Sequence, residues 1–311
     1  MSHAVVKATE QQMRTIKARY SRSLIEPPPQ GALFQAKVDQ CTITGYKSGK
    51  VLFQGKNAEE EAAKAKGTRQ TEKKTKPADV GKHSYAPPKT IAEMNVIGSD
   101  ETGTGDYFGP ITVAACYIQT DEIKNIEALG VRDSKTLTDT RIKTIAPDIV
   151  NRCTYSLMTL HNKKYNQLQE SGMNQGQMKA MLHQQAINNV HAKLQSEQTE
   201  AEAVLIDQFV KPETYFTYLR KSGGLQIPDI PLYFATKAEA MHPAVACASI
   251  IARYAFIQEI DQLSVHYGIT LPKGAGPPVD KAANEFIRLY GTDTLKSVTK
   301  WHFNNTNKAL N

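Results

Sequence analysis

Between Gly67 and about Pro88 the chain is rich in Lys, Thr and Pro and carries almost no large apolar residue. Such a stretch cannot bury enough surface to offset the entropy of ordering it, so it reads as a flexible, basic linker. No single core can run through it. The 311-residue chain is therefore expected to fold as a small unit before the linker and a larger one after it, which its length allows. The boundaries we read are 1–66 for the first domain, 67–90 for the linker and 91–311 for the second domain.

Ahead of the linker, His3–Thr9 reads as a strand and Glu10–Tyr20 as a helix with basic residues on its outer face. Glu26-Pro-Pro-Pro-Gln-Gly31 breaks the pattern. Leu33–Val38, Cys41–Tyr46 and Val51–Gln54 are strand-like, joined by turns at Asp39-Gln40 and Lys47-Ser48-Gly49-Lys50. Asn57 can cap a helix running to Lys66. These elements predict a small α+β unit with a curled antiparallel sheet. Beyond residue 90, Val96–Ser99, Ile111–Ile118, Cys153–Leu160, Ala203–Asp207 and Leu232–Ala235 read as strands. Helices are predicted over Thr138–Val150, Gln175–Gln195, Val245–Tyr267 and Lys281–Tyr290. Antiparallel strands followed by alternating helices and strands predict an α/β domain, a mixed sheet flanked by helices on both faces.

Charge divides along the same boundary. The formal net charge is +7, but residues 1–90 hold 17 Lys and Arg against 8 Asp and Glu, a net of +9. Residues 91–311 hold 21 against 23, a net of −2. A basic front end suits a polyanionic partner, while the second domain concentrates carboxylates. No stretch approaches the roughly 18 uninterrupted apolar residues of a membrane span, and Met1–Glu10 lacks the layout of a secretory signal. The four cysteines, Cys41, Cys116, Cys153 and Cys247, form no CxxC pair and sit in apolar runs. Buried free thiols in a reducing cytoplasm are expected.

The densest motif is Ile97-Gly-Ser-Asp-Glu-Thr-Gly-Thr-Gly-Asp-Tyr-Phe-Gly-Pro110. Asp100 and Glu101 lie where an apolar strand is expected to end, so one or both can project from a sheet edge into a cleft. Adjacent carboxylates repel when both are ionised unless a cation neutralises them, and a hard divalent ion suits oxygen ligands. Gly103, Gly105 and Gly109 allow unusual φ values and close approach of a ligand. In isolation the motif also fits a glycine turn with solvated acids. A dinucleotide loop fits poorly, because the spacing is GxGxxxG and Pro110 leads into a strand.

Asp207 ends a buried strand, where acids commonly face a site in α/β sheets; a turn acid is the alternative. Glu239 follows a strand and precedes a helix, and could equally be a surface acid. Lys135, in Asp133-Ser134-Lys135, could meet a phosphate. His242 offers either a proton carrier or a helix cap.

Together these residues resemble the type 2 ribonuclease H family, and within it the ribonucleases HIII. The run from Asp100 to Pro110 is similar to the family signature almost residue for residue. Asp133-Ser-Lys135, Ile206-Asp-Gln-Phe209 and the Ala246–Arg253 run match in the same order. Gly103-Thr104-Gly105 and Glu239 stand where ribonucleases HII have Gly-Arg-Gly and an Asp. The first domain, particularly Gly45–Gly55, resembles the family's TATA-binding-protein-like domain. The resemblance implies a ribonuclease H-like fold and hydrolysis of the RNA strand of RNA/DNA hybrids. It also implies a catalytic and metal-holding set of Asp100, Glu101, Asp207 and Glu239, loaded with two Mg²⁺ or Mn²⁺ ions. Gly103, Thr104, Gly105, Lys135 and Tyr46 are the expected substrate contacts. No membrane partner and no small-molecule cofactor are expected, and the chain is expected to be a monomer. Two rivals stand beside this: ribonuclease HII-like specificity for single embedded ribonucleotides, and a non-catalytic hybrid binder.

Overall fold

The computed structural model describes residues 3–29, 31–38, 40–55, 57–65, 83–131 and 136–310, and the chain divides into two units, Met1–Thr75 and Lys76–Asn311. In the first unit, side chains that alternate between buried and exposed give the sheet one apolar face. Its elements are β1 (His3–Lys7), α1 (Glu10–Arg19), β2 (Leu24–Ile25), β3 (Ala32–Val38), β4 (Cys41–Tyr46), β5 (Lys50–Gly55) and α2 (Ala58–Ala65). The strands pair antiparallel in the order β1-β5-β4-β3-β2. A capping box between Thr9 and Gln12 starts α1, satisfying two of its otherwise unpaired N–H groups. Met13 and Ile16 of α1 and Ala58 and Ala62 of α2 then close over Phe34, Ile43, Val51 and Phe53. Phe53 is wholly core, while Tyr46 is only half-buried. The short edge strand β2 was not anticipated.

The second unit comprises β6 (Val96–Thr102), β7 (Ile111–Tyr117), α3 (Ile123–Ala128), α4 (Asp139–Arg152), β8 (Thr154–Leu160), α5 (Asn162–Glu170), α6 (Gln175–Ser196), β9 (Ala203–Asp207), α7 (Pro212–Lys221), β10 (Leu232–Ala235), α8 (Pro243–Tyr267), α9 (Pro277–Val298) and α10 (Asn304–Leu310). Its sheet runs β10-β9-β6-β7-β8. β6, β9 and β10 are parallel, and β7 and β8 complete an antiparallel half. The expected mixed sheet with helices on both faces is what the chain forms.

Residue parity sorts the two faces. Ala114 and Cys116 of β7 pack with α4 and α8. Ile97, Ala115, Val204 and Ile206 point the other way, against α6 and α7. On β6, Gly98 faces α8 so closely that a Cβ would stand 2.3 Å from Val245 N. Only a glycine, opposite the small residues that open α8, permits this approach. Cys116, Cys153 and Cys247, distant in sequence, share one apolar cluster with α8, and all four cysteines are free thiols.

Of the expected linker, residues 67–82 lie outside the described residues. From His83 the chain lies on the second unit: Tyr85 packs against Phe216 and Phe234, and its carbonyl accepts the Phe234 N–H at 2.9 Å. β6 differs from expectation as well. Pairing with β7 carries it past Ser99 to Thr102, setting Asp100 opposite Ala114 and Glu101 opposite Val113. The two acids thus lie within a strand rather than beyond its end.

Candidate active site

Because Asp100 and Glu101 are consecutive on a strand, their side chains leave opposite faces of the sheet. Asp100 shares the α8 face with Gly98 and is 4% exposed; its Oδ1 accepts the Glu101 N–H at 2.7 Å. On β9, Ala203 and Leu205 pack with Val245 of α8, which puts Asp207 on this same face. Ser99 pairs with Ile206 in the parallel register, so Asp100 and Asp207 stand one step further along, on strands about 4.8 Å apart. Asp207 Oδ1 accepts the Ala238 N–H at 3.0 Å. That bond anchors a 3-10 turn, Ala238–Ala240, that carries the buried Glu239. Lys237, which enters the turn, holds a left-handed backbone with φ 59°, a strained state for a residue with a Cβ.

Glu101 meets α6 instead. Lys179 Nζ donates to Oε1 at 2.8 Å and His183 Nε2 lies 3.0 Å from Oε2. Ser99 Oγ donates to Ala114 O and lies 2.7 Å from His183 Nδ1. With its hydrogen committed to the carbonyl, Ser99 accepts from Nδ1. Phe209 stacks on His183 at 4.9 Å, and Lys179 sits 4.2 Å over the same ring. Burial alone would raise the Glu101 carboxyl. The bond and charge of His183, joined by those of Lys179, overcome it and hold the group down at about 2. Sequence reading missed Lys179 and His183. Their i,i+4 spacing on a predicted helix was the available signal, since it puts both on one face.

The glycine loop behaves unevenly. Gly103 has φ +92°, and a Cβ there would lie 2.3 Å from Pro110 O. Gly105 has an ordinary backbone with open space where a Cβ would stand, so only its capacity for close approach remains. Thr104 O accepts from Gln175 Nε2 at 3.0 Å. His242 proves to be the N-cap of α8: Nδ1 accepts the Ala244 N–H at 3.1 Å, and Nε2 donates to Met94 O at 3.1 Å. Lys135, with Asp133 and Ser134, lies outside the described residues. Tyr46 lines a cleft of about 500 Å³ in the first unit with Arg14, Lys17 and Lys47.

Asp100, Asp207 and Glu239 offer oxygen donors only, a set that fits a hard divalent cation. Among the described residues, no group of three or more His, Cys, Asp or Glu side chains already stands in ligand geometry.

Residues 97–306 match the family model described as Ribonuclease HII, and residues 3–78 match one described as a Domain of unknown function (DUF3378). Over 99% of its length the chain is 51% identical to a Ribonuclease HIII of Bacillus pumilus, covering 99% of that protein. It is 52% identical to the Ribonuclease HIII of Bacillus subtilis, over 99% of this chain and 97% of the relative. The chain belongs to the ribonuclease HIII family. A solved structure of Bst-RNase HIII, in complex with Mn²⁺, superposes with a TM-score of 0.69 at 44% identity, over 99% of this chain and 98% of that one. Members of the ribonuclease HIII family are endoribonucleases, and the fold described above is theirs, including the antiparallel sheet unit at the N-terminus. No helix among the described residues is long and apolar enough to cross a membrane.

Proposed function

We propose that the chain hydrolyses the RNA strand of RNA/DNA hybrids, with Asp100, Asp207 and Glu239 as its metal-holding carboxylates on the α8 face and Glu101, turned to Lys179 and His183 on the α6 face, as the fourth catalytic carboxylate. The observation that carries this reading is the placement of Asp100 and Asp207 at one level of adjacent strands, with Glu239 joined to Asp207 through the Ala238 N–H. Carboxylates brought together and withdrawn from water are stabilised by a cation. Mg²⁺ or Mn²⁺ ions, two in the full site, would be held by these carboxylates and would supply the positive charge that hydrolysis to 5′-phosphate and 3′-hydroxyl ends requires.

The chain's own residues do the rest. Asp100 and Asp207 fix the line along which the phosphate lies. Glu101, held down at about 2, stays ionised at neutral pH, so it accepts and cannot act as a proton donor. The open side of Gly105 lets the Gly103-Thr104-Gly105 backbone approach a ribose 2′-hydroxyl, the group that distinguishes RNA from DNA. Lys135 holds a nearby phosphate. In the first unit, Lys17, Lys47 and Tyr46 grip the hybrid backbone through sequence-blind, salt-sensitive contacts.

The test is cleavage of a uniform RNA/DNA hybrid beside a DNA duplex carrying one ribonucleotide, each with Mg²⁺ and with Mn²⁺. Cuts along the hybrid's RNA strand with 5′-phosphate ends are expected. Failure to cut any hybrid with either ion would sink the reading, and preference for the single ribonucleotide would redirect it to ribonuclease HII-like specificity.

A further inference from the structure

Lys300, between α9 and α10, is a lysine with 0% exposure. Its Nζ donates to Gly109 O at 2.6 Å, Asp106 O at 2.8 Å and Pro110 O at 3.3 Å. An ammonium has three N–H donors, and three carbonyls of one short segment take them. The backbone reinforces the link. Lys300 N–H donates to Tyr107 O at 2.8 Å, Gly109 N–H donates to Val298 O at 3.0 Å, and Phe108 bridges Thr299. Burial pushes the amine down to about 7, with the Asp106 charge acting the other way. Met or Leu in its place would leave these carbonyls short of a donor, and a buried polar group is costly unless it is hydrogen-bonded. The lysine therefore points to a need for those carbonyls to be held.

The held segment closes back on the glycine loop. Pro110 O, one of the three acceptors, is the atom that fills the space beside Gly103, 2.3 Å from where a Cβ would be. Fixing Asp106, Gly109 and Pro110 thus sets both the start and the end of the 103–110 loop.

We propose that Lys300 is a positioning residue for RNA recognition, tying the carbonyls of Asp106, Gly109 and Pro110 so that the Gly103-Thr104-Gly105 backbone stands where a ribose 2′-hydroxyl is met. This rests on the reading of that loop as the 2′-hydroxyl contact. The experiment compares wild type, K300M, K300Q and, as a control, K296M, whose exposed lysine pairs with Glu170. Two quantities are measured on the full chain. One is amide hydrogen exchange across 103–110. The other is the ratio of kcat/KM on a uniform hybrid to that on hybrids with one 2′-deoxyribose beside the cut. K300M is expected to speed exchange in the loop but not in β6 and β7, and to lower the ratio by about tenfold or more, since a small misplacement can cost up to a hundredfold. K300Q, with two N–H donors on a shorter stem, should lie between; should K300M not fold, it carries both measurements. K296M should match wild type. A folded Lys300 variant with unchanged exchange and an unchanged ratio overturns the proposal. A wild-type ratio near one also overturns it, through the loop's reading; the exchange result then separates that failure from failure of the clamp.

Discussion

His242 accepts the Ala244 N–H at one ring nitrogen and donates to Met94 O from the other, and burial lowers it from 6.5 to about 4. The unfolded ring takes a proton as pH falls through 6.5, while the folded ring resists until about 4. The unfolded state therefore binds more protons in that window, and stability drops as pH falls across it, by about 3 kcal/mol in all. H242N, which keeps a capping acceptor, is expected to flatten this limb in urea titrations near pH 7.5 and 4.5; an unchanged slope would assign the acid sensitivity elsewhere. The loop glycines separate folding from function. G103A, with φ +92° and a carbonyl in the way, should cost about 2 kcal/mol or more. G105A meets open space, so stability should hold within about 0.5 kcal/mol while hybrid cleavage falls; normal cleavage would remove Gly105 from the interface. At this scale Asp207 was legible as an acid ending a strand and Glu239 as one in the turn after a strand, whereas Asp100 lies within β6 rather than at its end. The partners of Glu101 were not legible, because Lys179 and His183 arrive from 78 and 82 residues away, and only the fold sets α6 against β6.

Elements followed their patterns where the pattern was local. β9 and β10 run between the expected residues, Ala203–Asp207 and Leu232–Ala235, because Glu202 and Gln208 bound the first short apolar run, and Pro231 and Thr236 the second. The expected helix Lys281–Tyr290 stops where Gly291, at φ 79°, breaks α9. β6 ran longer than expected because pairing with β7, not its own composition, extends it through the acids. The small residues opening α8 were visible in sequence, but their purpose is visible only opposite Gly98. G98A is expected to push β6 from α8 and cost at least about 2 kcal/mol, read as a lower urea midpoint; an unshifted midpoint would contradict so close a contact. Lys300 was illegible for the same reason, since two of its acceptors lie 194 and 191 residues upstream.

Across the whole molecule, charge is divided, with a net of +9 over residues 1–90 against −2 over the rest, and the proposed function assigns the basic part to gripping the hybrid. Removing Lys17 or Lys47 from the first unit should weaken hybrid binding similarly for all sequences and reduce the slope of log K against log salt by about one each. An unaltered slope would exclude that side chain from phosphate contact. The carboxylates of the second unit make the opposite prediction. Asp100 is buried beside Asp207 on the α8 face, and Asp100→Asn keeps its shape while removing its charge. Hybrid cleavage with Mg²⁺ or Mn²⁺ and hybrid affinity, measured on the same D100N preparation, test the account most directly. Cleavage should fall by at least about a thousandfold with affinity within about threefold of wild type; cleavage retained near the wild-type rate would contradict the placement of Asp100 at the reacting centre.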